Sequence, residues 1–360
     1  MDIKTSILRM IRQSSGYVSG QSLCEALGVS RTAVWKYVNQ LKEEGYEFDA
    51  VSNKGYRIVK YPDIITREEI ESMLPEGLAV TNVVYYHETD STNTRAKQAA
   101  EDGEKSGTLF ITECQTGGRG RRGRTWESPA GSGIWMSLLL RPEIKPFDAS
   151  MLTIVAAMGM KDAIEEIISA GDGAGDEDSA GNSAGYGAGY GAEDEDGTGQ
   201  GGIHCKIKWP NDIVLGDRKI CGMLTEMSAE TDWINYVVIG IGVNVNTTEF
   251  DDSIKDMASS ILLQTGSSVK RSDIVVAFAR HFSRYYDEFL KECNLSGLAD
   301  DYNKALINVG RDVKIVERDG SFVAKAVGID ETGSLIVEKD GDTKRIVAGE
   351  VSVRGLYGYV

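Results

Sequence analysis

A chain of 360 residues, 41% of them hydrophobic, is too long for one ordinary core and calls for two or three domains. Its net charge of −16 argues against polyanion binding by the protein as a whole, but nine Lys/Arg against six Asp/Glu make residues 1–60 locally basic. No apolar run approaches the roughly 20 residues needed to cross a bilayer. MDIKTSILRM also lacks the features of a secretory signal, so a cytoplasmic address with no membrane partner is expected.

Residues 3–60 read as a winged helix-turn-helix. Ile3, Ile7, Leu8 and Ile11 form one apolar stripe at helical spacing. Ser19 can cap a second helix carrying Leu23 and Leu27, which Gly28 would end. Ser30 can cap a third, with Val34, Val38 and Leu41 facing inward. That leaves Arg31, Thr32, Trp35 and Lys36 near its exposed N-terminal end, where a recognition helix meets DNA. Two short strands follow, around 46–51 and 56–59, and the turn holding Lys54 would be the wing. A small bundle that only docks on the rest of the chain would show the same helices. The wing and the local positive charge favour DNA.

From 63 to 305 strands mix with helices, the pattern of an α+β domain with helices largely on one face of a mixed sheet. Strands are expected over 80–87, 108–114, 134–140, 203–209, 212–215, 220–227 and 236–245, and helices over 93–100, 149–168 and 272–291. Residues 171–202 interrupt this domain with twelve glycines, eight acidic residues and no Leu, Ile, Val or Phe, so a flexible acidic loop is expected. From about 306 short strands alternate with turns, the pattern of a small SH3-like β-barrel. The expected domains are thus 1–62, 63–305 and 306–360.

Cys24, Cys114, Cys205, Cys221 and Cys293 never form C-x-x-C, and His87, His204 and His281 never pair at helical spacing. Free thiols and no zinc site follow. Three segments can carry chemistry. Gly117–Arg124, GGRGRRGR, follows an expected strand; its glycines permit close backbone approach and its arginines suit phosphate oxygens. It is neither a Walker loop nor a dinucleotide fingerprint, and an RNA patch or a solvated loop has the same composition. In Lys208-Trp209-Pro210-Asn211-Asp212, strand alternation sends Lys208 to the face opposite Cys205, Ile207 and Trp209. Such a lysine is either a solvated charge or a group that stabilises phosphoryl transfer. Ser91-Thr92-Asn93 can serve a ligand, but it is also an ordinary helix N-cap.

Together and in this order, these segments, with Lys219–Glu226 and Gly240–Asn244, resemble the biotin–protein ligases. The winged helix and terminal barrel are similar to the bifunctional members that also repress biotin genes. The resemblance implies a catalytic domain like that of class II synthetases, which converts biotin and ATP, with Mg²⁺, to biotinyl-5′-AMP. Biotin then passes to a lysine of a biotin carboxyl carrier protein. It implies that Ser91, Thr92, Asn93 and Gln115 line the biotin pocket, and that Arg119, Gly120 and Arg121 order over the adenylate. Trp126 would lie near the adenine, Lys208 would contact the carboxylate and α-phosphate, and Gly222 and Asn244 would complete the walls. Operator DNA and a ligand-dependent homodimer are the implied partners. A lipoate-type ligase, or a ligand-sensing transcription factor without ligase activity, are the rival readings.

Loop closure costs only ~0.6 kcal/mol per doubling of length, so the insertion should contribute little to stability. Replacing residues 171–202 by a few Gly/Ser residues should leave the melting temperature and biotin affinity near those of the parent. Calorimetry and biotin titration check this, and a variant that folds yet cannot modify the carrier would make the insertion a partner-binding element.

Overall fold

The protein is described from a computed structural model covering residues 2–172, 204–317, 320–348, 352–355 and 359. Most of the expected acidic loop, residues 173–202, lies outside the described residues.

Helices α1 (Ile3–Gln13), α2 (Gly20–Leu27) and α3 (Arg31–Glu43) precede the hairpin β1 (Glu47–Val51) and β2 (Gly55–Lys60). Ser19 and Ser30 cap α2 and α3 through the N–H groups of Ser22 and Ala33, and Gly28 ends α2 in the left-handed region, at φ 65°. Ile7, Leu8, Ile11, Leu23, Val34, Val38 and Leu41 bury together with Tyr46 and Ile58. The stripes that define the helices in sequence thus form one small core.

A short helix α4 (Arg67–Met73) leads into the central domain: β3 (Asn82–Thr89), α5 (Thr92–Glu101), β4 (Thr108–Gln115), β5 (Gly133–Leu140) and α6 (Met151–Asp172). Then follow β6 (Cys205–Lys208), β7 (Asp212–Leu215), β8 (Arg218–Ala229), β9 (Ile234–Asn244), α7 (Ile261–Thr265), α8 (Arg271–Glu292) and α9 (Ala299–Ala305). The seven strands form one sheet in the order β3-β4-β5-β9-β8-β7-β6. Only β3 and β4 run parallel. Alternation decides which side each residue serves. Leu109 and Ile111 of β4, with Ile239 and Ile241 of β9, bury in the large core shared with α6 and α8. Phe110 and Val238 bury on the other face, under Ala96 and Ala100 of α5.

Strands β10 (Asp312–Val316), β11 (Ser321–Ile329), β12 (Leu335–Lys339), β13 (Asp342–Ile346) and β14 (Ser352–Gly355) form an antiparallel sheet in the order β13-β12-β11-β10-β14. It shares the large core, and the Trp209 indole N–H donates to the Gly333 carbonyl at 3.0 Å. The tail is therefore packed against the strand end that carries Lys208. Helices α4, α7 and α9 went unread in the sequence, each being only five to seven residues long. That is under two turns and too short for a periodic stripe.

Helices α6 and α8 cross at Gly159, where an added Cβ would lie 2.9 Å from the Cα of Phe282. A methyl group in mid-helix adds up to about 1 kcal/mol of helix propensity. Forcing two packed backbones apart costs about 1–3 kcal/mol, so the clash should win. Gly159→Ala should lower the urea midpoint without changing the slope of the transition. A higher midpoint would show slack between the two helices.

Candidate active site

The strand ends converge on a cavity of about 810 Å³. Ser91, Thr92, Asn93, Gln115, Arg119, Gly120, Arg121, Trp126, Lys208, Gly222 and Asn244 all line it. One wall is a polar network at the start of α5. The Thr92 N–H donates to Gln115 Oε1 at 2.9 Å, and Gln115 Nε2 donates to the Ser128 hydroxyl at 2.8 Å. The buried Ser137 hydroxyl donates to Asn93 Oδ1 at 2.6 Å, and Asn93 Nδ2 donates to Glu226 Oε2 at 2.8 Å. Ser91 occupies the N-cap position but its side chain makes no capping hydrogen bond. The ordinary capping explanation of this segment therefore fails.

Residues 116–132 leave β4, fold back, and return to β5. Gly120 donates to the Arg124 carbonyl at 2.7 Å and Trp126 to the Gly118 carbonyl at 3.0 Å, which closes the arginine segment into a tight loop. Arg121 Nη1 donates to Asn211 Oδ1 at 3.1 Å, tying the loop to the segment just after Lys208. The Trp126 indole lies on a floor of glycines: a Cβ on Gly242 would sit 2.6 Å from its Nε1. That buried indole nitrogen has no hydrogen-bond partner among the described residues. An orphaned buried donor is costly, and here it borders a cavity.

Lys208 departs from the picture of a solvated charge, since it is only 6% exposed. Burial pushes its ammonium down to about 8; Asp212 opposes this, while Lys219, Arg354 and Arg124 add to it. The ammonium donates to the Tyr359 carbonyl and lies 3.5 Å from the centroid of that residue's ring. The Tyr359 hydroxyl in turn donates to Asp212, which is also paired with Lys219 at 2.6 Å. Burial pushes the Asp212 carboxyl up, but Lys219 and Tyr359 pull it below its ordinary value.

Several lining residues were not singled out from the sequence. Asn211, Arg124 and Lys219 lie inside segments that were, so their neighbours signalled them. Arg354 and Tyr359 arrive from the C-terminal tail, and no local pattern marks them. On the winged helix Arg31, Thr32, Trp35 and Lys36 are exposed along the start of α3, and Lys54 is exposed in the β1–β2 turn. None of these five lines the cavity.

Comparisons with known proteins match this architecture in three places. The biotin/lipoate A/B protein ligase family matches residues 85–244, an HTH domain matches 4–57, and the biotin protein ligase C-terminal domain matches 309–354. The chain is 32% identical over 354 residues to the bifunctional ligase/repressor BirA of Bacillus subtilis, covering 98% of each chain. It is 29% identical to BirA of Escherichia coli, covering 93% of this chain and 92% of that one. Among solved structures, the Aquifex aeolicus biotin protein ligase in complex with biotin and ATP superposes with a TM-score of 0.60 at 26% identity. That match covers 76% of this chain and 99% of the other. No helix among the described residues is long and apolar enough to cross a membrane. The chain belongs to the bifunctional ligase/repressors of the biotin/lipoate A/B protein ligase family.

Proposed function

We propose that this chain is a biotin–[acetyl-CoA-carboxylase] ligase that also represses biotin genes. The observation that carries the reading is one cavity lined by the buried Lys208, by Arg119, Gly120 and Arg121 of the Gly/Arg loop, and by the polar wall of Ser91, Thr92, Asn93 and Gln115. A lipoate-type ligase would share the catalytic fold. The winged helix and the full-length likeness to ligase/repressors favour biotin. A sensor without catalysis would have no use for a lysine kept at 6% exposure among arginines.

The carboxylate of biotin attacks the α-phosphorus of ATP; a C–O–P bond forms, and the bond to pyrophosphate breaks. Two anions must meet, and Lys208, Arg119 and Arg121 supply the opposing charge. Mg²⁺ is read as part of the MgATP substrate, screening its phosphates. Arg119, Gly120 and Arg121 cover the mixed anhydride against water. The unpartnered Trp126 N–H, beside the adenine, gains an acceptor. An acceptor lysine of the biotin carboxyl carrier protein then attacks the carbonyl and AMP leaves. Its amine must first lose a proton, at a usual pKa of ~10.4. Asp212, the carboxylate nearest in sequence to Lys208, is a poor acceptor of it, being already held low by Lys219 and Tyr359.

We keep the division into 1–62, 63–305 and 306–360, with residues 1–62 binding operator DNA through Arg31, Thr32, Trp35, Lys36 and Lys54. We also propose that two copies pair through the catalytic sheet once adenylate is bound. Exposed Met227 on β8 and Trp233 in the β8–β9 turn offer apolar surface for that contact.

Lys208→Ala should slow adenylate formation by about 10²–10³. In the parent, kcat/KM should fall as pH rises through about 8, because the free protein loses the Lys208 proton there. Bound anions stabilise the ammonium, so the kcat profile should break at higher pH. Lys208→Arg should abolish the break at 8, and a break that survives in this variant belongs to another group. Arg121→Gly should release adenylate and label lysines of bystander proteins, which blotting with streptavidin reads. Labelling confined to the carrier would remove the covering role.

Arg31→Ala and Lys36→Ala should weaken operator binding and flatten its salt dependence by roughly one counterion each, with ligation unchanged. Biotin plus ATP should tighten binding in the parent. A gel-shift series with no response to the pair would end the repressor reading.

A further inference from the structure

Arg271, the first residue of α8, is 2% exposed and is not among the residues lining the cavity. Its bonds run in three directions. Toward the segment that follows the winged helix, its backbone N–H donates to Asp63 Oδ1 at 2.9 Å and its Nε to Asp63 Oδ2 at 3.1 Å. Nη2 also donates to the Asp63 carbonyl at 2.9 Å. Toward the end of β4, Nη1 donates to Glu113 Oε2 at 2.7 Å. Toward the start of β5, Nη1 lies 3.3 Å from the Gly133 carbonyl. Glu113 in turn accepts the Gly131 N–H at 3.2 Å.

These partners have a common meaning in the chain. Glu113 stands two residues before Gln115, and Gly131 and Gly133 stand where residues 116–132 rejoin the sheet. One guanidinium therefore grips both ends of the Gly/Arg loop. Asp63 lies three residues beyond the end of β2, in the connection from the winged helix. Beside it, Tyr61 carries Arg12 of α1 at 4.3 Å from its ring centroid and Lys270 at 5.0 Å, so the winged helix and the start of α8 meet on one ring.

A guanidinium buried this deeply is tolerable only with a carboxylate partner in place, and here it has two. Two carboxylates from different parts of the chain thus share one cation. A shift of either one changes the field and the geometry felt by the other.

We infer that Arg271 is a positioning residue that links the tether of the DNA-binding domain to both ends of the loop covering the adenylate. This rests on the function proposed above and names the residues through which its two halves communicate. Holding the loop closed favours one placement of Asp63, and fixing the winged helix on DNA favours the same placement from the other side. Thermodynamic coupling between the two sites is reciprocal.

The test is Asp63→Ala in the full-length chain, which cuts the tether arm while Glu113 still neutralises Arg271. Three quantities are measured: the melting temperature, the rate at which biotinyl-AMP formed in place is lost, and the gain in affinity for inverted-repeat DNA on adding biotin and ATP. Adenylate loss should quicken about fivefold and the DNA gain should shrink about tenfold, within the usual range of such couplings. The kcat for transfer to the carrier should stay at the parent value. Asp63→Asn, which keeps one acceptor oxygen, should fall between. Parent-like adenylate retention together with a parent-like DNA gain would overturn the inference, however far the melting temperature falls. If the parent itself retains adenylate but gains no DNA affinity, the repressor reading fails, and adenylate retention in Asp63→Ala still decides the loop half. A parent that makes no adenylate overturns the ligase reading and this inference with it.

Discussion

Lys208 needs its proton to attract an anion, yet burial favours losing it, and the other cations near the cavity push in the same direction. Asp212 is the acid that opposes them most, and it is shared with Lys219 and with the Tyr359 hydroxyl. The protein thus leaves positive charge there incompletely balanced. A ligand that brings negative charge completes the balance, and the incomplete balance of that charge is what makes the ligand valuable. At 4 Å two unit charges attract by about 1 kcal/mol in water and about 4 kcal/mol at an effective dielectric of 20. What costs stability in the empty cavity therefore returns as binding and as stabilisation of the phosphoryl-transfer step. Meanwhile the Tyr359 carbonyl and ring hold the ammonium, so an arriving anion competes with the tail for it.

The sheet is shaped by a related compromise. On β9, Ile239, Ile241 and Val243 bury in the core under α6 and α8, while Gly240, Gly242 and Asn244 line the cavity. A Cβ on Gly240 would sit 2.1 Å from Asn93 Oδ1, so the polar wall and the indole floor both need bare backbone there. Two glycines two residues apart weaken a strand in isolation. Here β9 is paired along most of its length on both sides, to β5 and β8, and the ladders hold what the side chains do not.

Residues whose job is repeated along an element were legible in the sequence. The α3 stripe, the serine caps and the alternation of β4 and β9 follow from period alone, and the structure buries or bonds them accordingly. The convergence of Ser91–Asn93, the Gly/Arg loop and Lys208 was legible only through the resemblance, because each segment has an ordinary explanation by itself. Two local rules misled. The N-cap rule fails at Ser91, which faces the cavity instead of capping α5. Alternation placed Lys208 on the face opposite Ile207, which a solvated lysine shares, but tail residues cover that face and bury it. Tyr359 lies 151 positions from Lys208, and no window on the sequence joins them.

The acidic insertion interrupts the sequence between α6 and β6, the strand that ends in Lys208, so the tolerance expected of it needs a physical reason. That reason lies at its base. Glu165 of α6 accepts the Cys205 backbone N–H at 2.9 Å, and Cys205 itself is buried in the large core. The strand is therefore fixed to the helix by its own first residue, before any of the intervening chain is counted. Register in β6 is then set by pairing of Cys205 through Lys208 with β7. With such a closure in place, lengthening the connection between α6 and β6 costs only the slow logarithm of loop entropy. What it does carry is charge, half of the protein's net −16, concentrated in residues 171–202. That charge acts at a distance through a screened field, which decays over about 8–10 Å at physiological salt.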